Sequence, residues 1–441
     1  MRRRGMGALA LALACGLASE ANAETYYVEE GGDDGADGSA AAPWATLQHA
    51  ADRVAPGDEV VVRPGTYRGF HLTTSGSADA PVTFRAEAGA VVDEDNDTTP
   101  DGINLEGASH VVVEGFEVRD VTRAGIRAVT CEHVVIRGNR ADENGRWGIF
   151  TGFCDDLLIE DNECSRSGIE HGIYVSNSAD RPVVRRNRLW GNNRNGLHMN
   201  GDASAGGDGV ISDALVEANV IWDNGADGGS GINCDGVQDS VIRNNLLYEN
   251  HASGVSLYRI DGAAGSTGNL VVNNTIVQAS DGRWAMNVQN ASTGNRIVNN
   301  VLLSRHGFRG AIDISSDSLD GLVSDHNVVV GRFTTDGGST VLDLSEWQAS
   351  SGQDASSLVA TEAEVFVDAA GDDYHLSAGS PAVDAGRAED APPTDYEGDP
   401  RPAGAAVDAG ADERCDGDCD PVDPDGGVPT TDAGSGDRDG G

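Results

Sequence analysis

Gly172-Ile173-Tyr174-Val175-Ser176, Gly196-Leu197-His198-Met199-Asn200, Gly231-Ile232-Asn233-Cys234-Asp235 and Gly254-Val255-Ser256-Leu257-Tyr258 are four versions of one phrase. Each is a glycine followed by alternating apolar and polar residues, the period of a strand with one buried face. Ile173, Val175, Leu197, Met199, Ile232, Cys234, Val255 and Leu257 take the inward parity. Tyr174, Ser176, His198, Asn200, Asn233, Asp235, Ser256 and Tyr258 take the outward one. Stacked in parallel, the four segments predict one continuous polar face carrying aromatic rings and an imidazole.

Outward from these segments the chain repeats. Apolar stretches such as Val134-Val135-Ile136, Leu157-Leu158-Ile159, Leu215-Val216, Val241-Ile242 and Leu270-Val271 are each followed three residues later by an asparagine. Asn139, Asn162, Asn187, Asn219, Asn245, Asn274, Asn300 and Asn327 are spaced by 23, 25, 32, 26, 29, 26 and 27 residues. A period just above twenty, with short strands and Gly or Asn turns, predicts an all-β parallel β-helix solenoid. Antiparallel hairpins would not put an asparagine at one phase of every unit. Asparagine suits that phase because it tolerates left-handed backbone angles and its amide can bond the next coil. The spacings of 32 and 29 mark insertions at 201–212 and 260–267. Both leave the stack just after the polar face and are expected to wall a cleft there.

The repeats resemble the right-handed parallel β-helix proteins, the pectate-lyase-like superfold. The combination of Glu170-His171-Gly172-Ile173-Tyr174, Gly196-Leu197-His198-Met199-Asn200-Gly201-Asp202 and Ser256-Leu257-Tyr258-Arg259 is similar to a group of secreted bacterial β-helix proteins. The resemblance spans about residues 24–413 and is specific for fold, because this superfold carries lyases, hydrolases, epimerases and adhesins. Two departures matter. Chondroitinase- and alginate-lyase-type β-helices carry a Lys–Arg pair; Arg259 can stand for the Arg, but the chain has no lysine. Neither the Asp-Pro-His motif of the alginate epimerases nor the paired aspartates of the polygalacturonases is present.

Residues 1–23 read as a signal peptide: Arg2 to Arg4, an apolar run, then Ala21-Asn22-Ala23. The run is too short to span a bilayer. A secreted, cell-surface or periplasmic location follows, and with it an oxidising compartment. Cys131 and Cys154 occupy one place in successive repeats, within possible bridging distance, and Cys415 and Cys419 can close a small loop. Residues 24–107 read as an N-terminal cap and first coils. A helix over 45–54, with Leu47, Ala50, Ala51 and Val54 on one face, plugs the open end. Residues 108–335 are the repeats and 336–413 the C-terminal coils and cap, with a short helix within 341–353. Residues 414–441 read as a disordered acidic tail.

The formal net charge is −42. It argues against nucleic acid, which needs a basic footprint, and against anionic membranes. It leaves room for an acidic polysaccharide, because a local arginine cluster or a divalent cation can reverse the field in one cleft. A monomer is expected.

Adjacent coils lie about 4.8 Å apart, so Tyr174 and His198 can act together, with Asn233 and Ser256 continuing the row. Ser176, Asn200, Asp235 and Tyr258 form the next row, with His171 preceding the first segment and Arg259 ending the fourth. Removal of a proton beside a uronate carboxylate, by β-elimination or C5 epimerisation, needs that carboxylate neutralised and a base at C5. The sequence assigns the base to His198, the proton donor to Tyr174, and carboxylate neutralisation to Arg259, Asn200 or a divalent ion on Asp202 and Asp235. His171, Asn200, Asp202, Asn233, Asp235, Ser256 and Tyr258 are the expected substrate-binding set. The alternatives are a glycoside hydrolase using Asp202 and Asp235 as its carboxyl pair, and a non-catalytic polysaccharide-binding surface protein. The only cofactor the composition makes a candidate is Ca2+, at Asp93-Glu94-Asp95-Asn96-Asp97 or at Asp33, Asp34 and Asp37. The bland reading of both clusters is acidic solvated loops, and that of any single surface histidine is surface.

Overall fold

The computed structural model describes residues 23–415. The proposed leader through residue 22, and the tail from residue 416, lie outside them. Three parallel sheets of 12, 11 and 12 strands run the length of a right-handed solenoid, each coil adding one strand to each sheet. The central strands of the 11-stranded sheet are β1 (Trp147–Gly152), β2 (Ile173–Ser176), β3 (Leu197–Asn200), β4 (Ser230–Asp235) and β5 (Ser253–Tyr258). They pair in sequence order and in parallel.

The inward parity builds a column. Ile126, Ile149, Ile173, Leu197, Ile232, Val255, Met286 and Ile312 are register partners in turn, all fully buried. Each is worth about 1.5–3 kcal/mol of burial. Aromatic rings close both ends. Phe70 stacks on Phe84 at 4.4 Å, and Phe333 lies flat on Trp347 at 5.2 Å. Over the first end sits α1 (Leu47–Ala51), with Leu47, Ala50 and Ala51 buried as the sequence predicts. Its Gln48 exchanges two hydrogen bonds with the backbone of His71, occupying groups that the outermost strand would otherwise leave unpaired. At the far end α2 (Leu344–Ser351) carries Trp347 and is held by a capping box between Asp343 and Glu346.

The asparagine ladder is present and continuous. Asn139 through Asn300 each donate a side-chain N–H to the Oδ1 of the next, at 2.9–3.1 Å. Asp354 terminates it by accepting from Asn327. Five residues on, Asn192, Asn224 and Asn250 form a second ladder. A glycine file also runs up the stack: a Cβ on Gly148 or Gly172 would come within 2.6 or 2.8 Å of the next glycine's carbonyl oxygen. Any larger residue there would push neighbouring coils apart.

Residues 366–413 form a strap along the flank. Phe366, Tyr374, Leu376, Ala382 and Ala409 pack on Leu246, Val277, Val301, Leu303 and Val328. Asn244, Asn273 and Asn299, each just before a ladder asparagine, donate to strap carbonyls of Thr394, Asp408 and Arg387. The doubled asparagines thus divide their work, one holding coils together and the other holding the strap. Cys131, Cys154, Cys164 and Cys234 are buried free thiols, so the bridge considered for Cys131 and Cys154 is replaced by a hydrogen bond from the Cys131 amide to Cys154 Sγ at 3.3 Å. Cys415 is disulfide-bonded, and Cys419 lies outside the described residues. Among the described residues no helix is long and apolar enough to cross a membrane.

Candidate functional site

The outward parity of β1 to β5 puts Phe150, Tyr174, His198, Asn233 and Ser256 in one row of register partners. Tyr174 and His198 stack with ring centroids 4.8 Å apart and planes 8° from parallel. Phe150 meets the other side of Tyr174 edge-on at 5.4 Å, and His171 meets it edge-on at 5.1 Å. The Tyr174 hydroxyl accepts from Asn200 Nδ2 at 3.1 Å. Burial holds its proton more tightly than in a free tyrosine, and the Asn200 bond opposes that in part.

An open groove of about 350 Å³ lies over this pair, lined also by Arg146, Trp147, Glu170, Arg194, Asp227 and Asp261. It continues past Asn233 and Tyr258 to Ser256, Arg283 and Asn287. Burial, reinforced by the charges of Arg194 and Arg146, pushes the His171 pKa down to about 3. Burial, with His171 beside it, likewise keeps the His198 imidazole neutral, well below the ordinary histidine range. Glu170 accepts from Arg146 Nη2 and Trp147 Nε1, both at 2.8 Å. Arg194 pairs with Asp227 at 3.3 Å.

The remaining expected residues separate by task. Asn233 faces the groove and donates to the Tyr258 hydroxyl at 2.8 Å. Ser256 is buried against Ser230 Oγ at 2.8 Å. Asp235 is buried too, and both its oxygens hold the second insertion: Oδ1 accepts from the amides of Ile260 and Gly262, Oδ2 from that of Asp261. Asp202 shapes the first insertion by accepting from the amide and hydroxyl of Ser204. Bonds from Ala203 N to Asp261 O and from Ala263 N to Gly209 O join the two insertions into one wall. The Arg259 side chain is exposed at the end of β5 and lines neither stretch of the groove. The cations that do are Arg146, Arg194 and Arg283. The signal for the first two was in the sequence: Arg146-Trp147, Glu170-His171 and Arg194-Asn195 each immediately precede the glycine that opens a strand.

The two acidic runs are spent on turns. Asp34 accepts from the amides of Ala45 and Thr46, Asp95 from that of Thr122, and Arg68 pairs with Glu94 and Asp97. The converging metal-type ligand atoms among the described residues belong to His375, Glu397 and Asp412, within 4.8 Å of one another on the strap.

A Pel9A-like right-handed β-helix region matches residues 26–167, and a general right-handed β-helix region matches 101–262. The chain belongs to the right-handed parallel β-helix proteins. Among solved structures this β-helix is similar to the pectate lyase Pel9A, at 18% identity and a TM-score of 0.61, over 89% of this chain and 96% of that one. It is also similar to a rhamnogalacturonan lyase, at 14% identity and a TM-score of 0.52, over 78% of this chain and 90% of the other. At such identities the likeness is one of fold. No curated protein matches the β-helix in sequence.

Proposed function

We propose that the β-helix acts on an acidic polysaccharide laid in the groove over Tyr174 and His198, removing the proton beside a uronate carboxylate in a β-elimination. The observation that carries the reading is the parallel stack of Tyr174 on His198 at 4.8 Å, with Asn200 on the phenol oxygen. It sets a proton-transferring hydroxyl beside a neutral imidazole and amide donors, as the reaction requires. Pel9A and the rhamnogalacturonan lyase, which share the fold, are named as lyases. A hydrolase built on Asp202 and Asp235 fits less well, because Asp235 has both oxygens committed to the loop at 260–262. The same reading places the chain outside the cytoplasm, with residues 1–23 as its signal and a single copy as the working unit.

Purified protein mixed with polymers of galacturonate, mannuronate, guluronate or glucuronate is expected to produce the ultraviolet absorbance of an unsaturated sugar from at least one. Absence of that product from all of them, with and without Ca2+, would discard the elimination. Reducing ends appearing without absorbance would point to hydrolysis instead.

A further inference from the structure

The hydrogen bonds beneath the stacked pair fix which nitrogen of His198 carries its proton. Ser230 N–H donates to Asn195 Oδ1 at 2.6 Å, which turns the Asn195 amide nitrogen toward His171. Asn195 Nδ2 lies 3.1 Å from His171 Nδ1, and the Asn195 backbone N–H lies 3.3 Å from the same atom. A backbone amide can only donate, so His171 Nδ1 accepts and the proton of this neutral ring sits on Nε2. That nitrogen is 3.1 Å from His198 Nδ1. His198 Nδ1 must therefore accept, and the neutral His198 ring must carry its own proton on Nε2. His198 Nε2 is buried and has no hydrogen-bond partner. A buried polar group left in this way is costly and asks for a ligand.

Resting on the reading of the site as a uronate site, we propose that Asn195 and His171 lock His198 as a neutral N–H donor that binds the substrate carboxylate, leaving proton removal to Tyr174. His171 and Asn195 are positioning residues. This reverses the assignment made from the sequence, since a nitrogen that already holds a proton cannot take another from C5 while its ring stays neutral. In the step itself the C5–H proton passes to an ionised Tyr174 Oη. The C–H electron pair becomes the C4–C5 double bond, the C4–O bond breaks, and Tyr174 returns the proton to the departing oxygen. Since burial keeps Tyr174 protonated at neutral pH, the rate depends on the small ionised fraction and rises with pH.

The lock is read without turnover by ¹⁵N NMR of histidine-labelled full-length protein. His171 and His198 are expected to show protonated Nε2, bare Nδ1 and no titration from pH 5 to 8. Addition of a uronate oligosaccharide is expected to shift the His198 Nε2–H signal. His171→Leu removes the donor to His198 and is expected to free its tautomer and raise KM about tenfold or more. His171→Gln, which can still donate, is expected to restore both. A proton on His198 Nδ1, or a His198 titration between pH 5 and 8, overturns the lock. A locked His198 whose signal no uronate moves overturns its role with carboxylate. A signal that moves with no unsaturated product formed upholds the lock and carboxylate binding but overturns the assigned step together with the elimination.

Discussion

Asn245 accepts from the backbone and side-chain N–H groups of Asn219 at 3.0 and 2.9 Å, and donates to Asn274 and to the carbonyl of Val216. Asn245→Ala strands two donors of Asn219 and takes a donor from the carbonyls of Val216 and Arg243 where no water reaches, while Asn274 Oδ1 keeps the backbone N–H of residue 245. It is expected to cost about 2–5 kcal/mol in denaturant unfolding, and a loss below 1 kcal/mol would mean the ladder relaxes freely. Tyr174→Phe is the contrasting case. It removes an oxygen whose one protein partner is Asn200, so unfolding should change by about 1 kcal/mol while turnover drops at least ~100-fold. Retention on the immobilised polymer should persist. The ladder was legible because a repeat shows a recurring residue at its own phase. The histidine chain was not, because it turns on a main-chain amide and on an asparagine 24 residues from His171 in sequence, neither of which has a pattern to read.

At the scale of elements, the groove is a sheet edged on one side by Ile260 and Asp261 of the second insertion, to which the first is bonded, and on the other by the turn of Asp227 to Gly229. Spacing located both insertions, since coils of near-constant length make any excess visible. What spacing could not give was the part played by Asp235. Its parity marks it as outward, yet the loop at 260–262 folds back over it and converts a surface carboxylate into a buried anchor. Gly262 allows that return, because a Cβ there would sit 2.7 Å from the Cα of Gly236. Asp235→Ala is expected to release the loop, seen as a new protease cut at 260–263. The reading of the groove adds a severalfold rise in KM with kcat nearly kept. A fall in kcat alone would instead give Asp235 a part in the chemistry. Arg259, which follows β5 directly in sequence, is exposed and lines neither stretch of the groove.

For the whole molecule, stability sits in a row of near-identical contacts between neighbouring coils, so the ends and the flank set its limits. Above neutral pH the flank carries a pH dependence of its own. Glu397, joined by Asp373, pushes the His375 pKa up to about 10. That contribution is full below about pH 6.5, the free value, and is lost as pH rises through 10. Burial pushes Asp412 up to about 6. Its contribution is full below about pH 3.9 and is lost as pH rises through 6. Both loosen the strap as pH rises, while Asp373, held below the usual carboxylate range by its hydrogen bond to His375, weakens it when pH falls far into acid. The thermal midpoint is expected to fall between pH 6.5 and 10, and His375→Gln to remove most of that fall. An unchanged slope in the variant would assign it elsewhere. The order of coils was readable from the period and the N-terminal capping helix from its apolar face. The course of residues 366–413 was not, because a segment without a repeat gives no phase by which to dock it.

Trp190, Trp222 and Tyr248 stand in register outside the third sheet, 5.8 Å apart with planes within 14° and 3°. Arg166 covers one end of the file and Tyr374 the other. Chromophores that close share their electronic excitation, and because perfectly aligned transition dipoles give no coupled circular dichroism, the size of the coupled band follows any turn of one ring against the next. The protein thus carries a native optical gauge, free of added dye, that would register a slipped turn before the solenoid as a whole came apart.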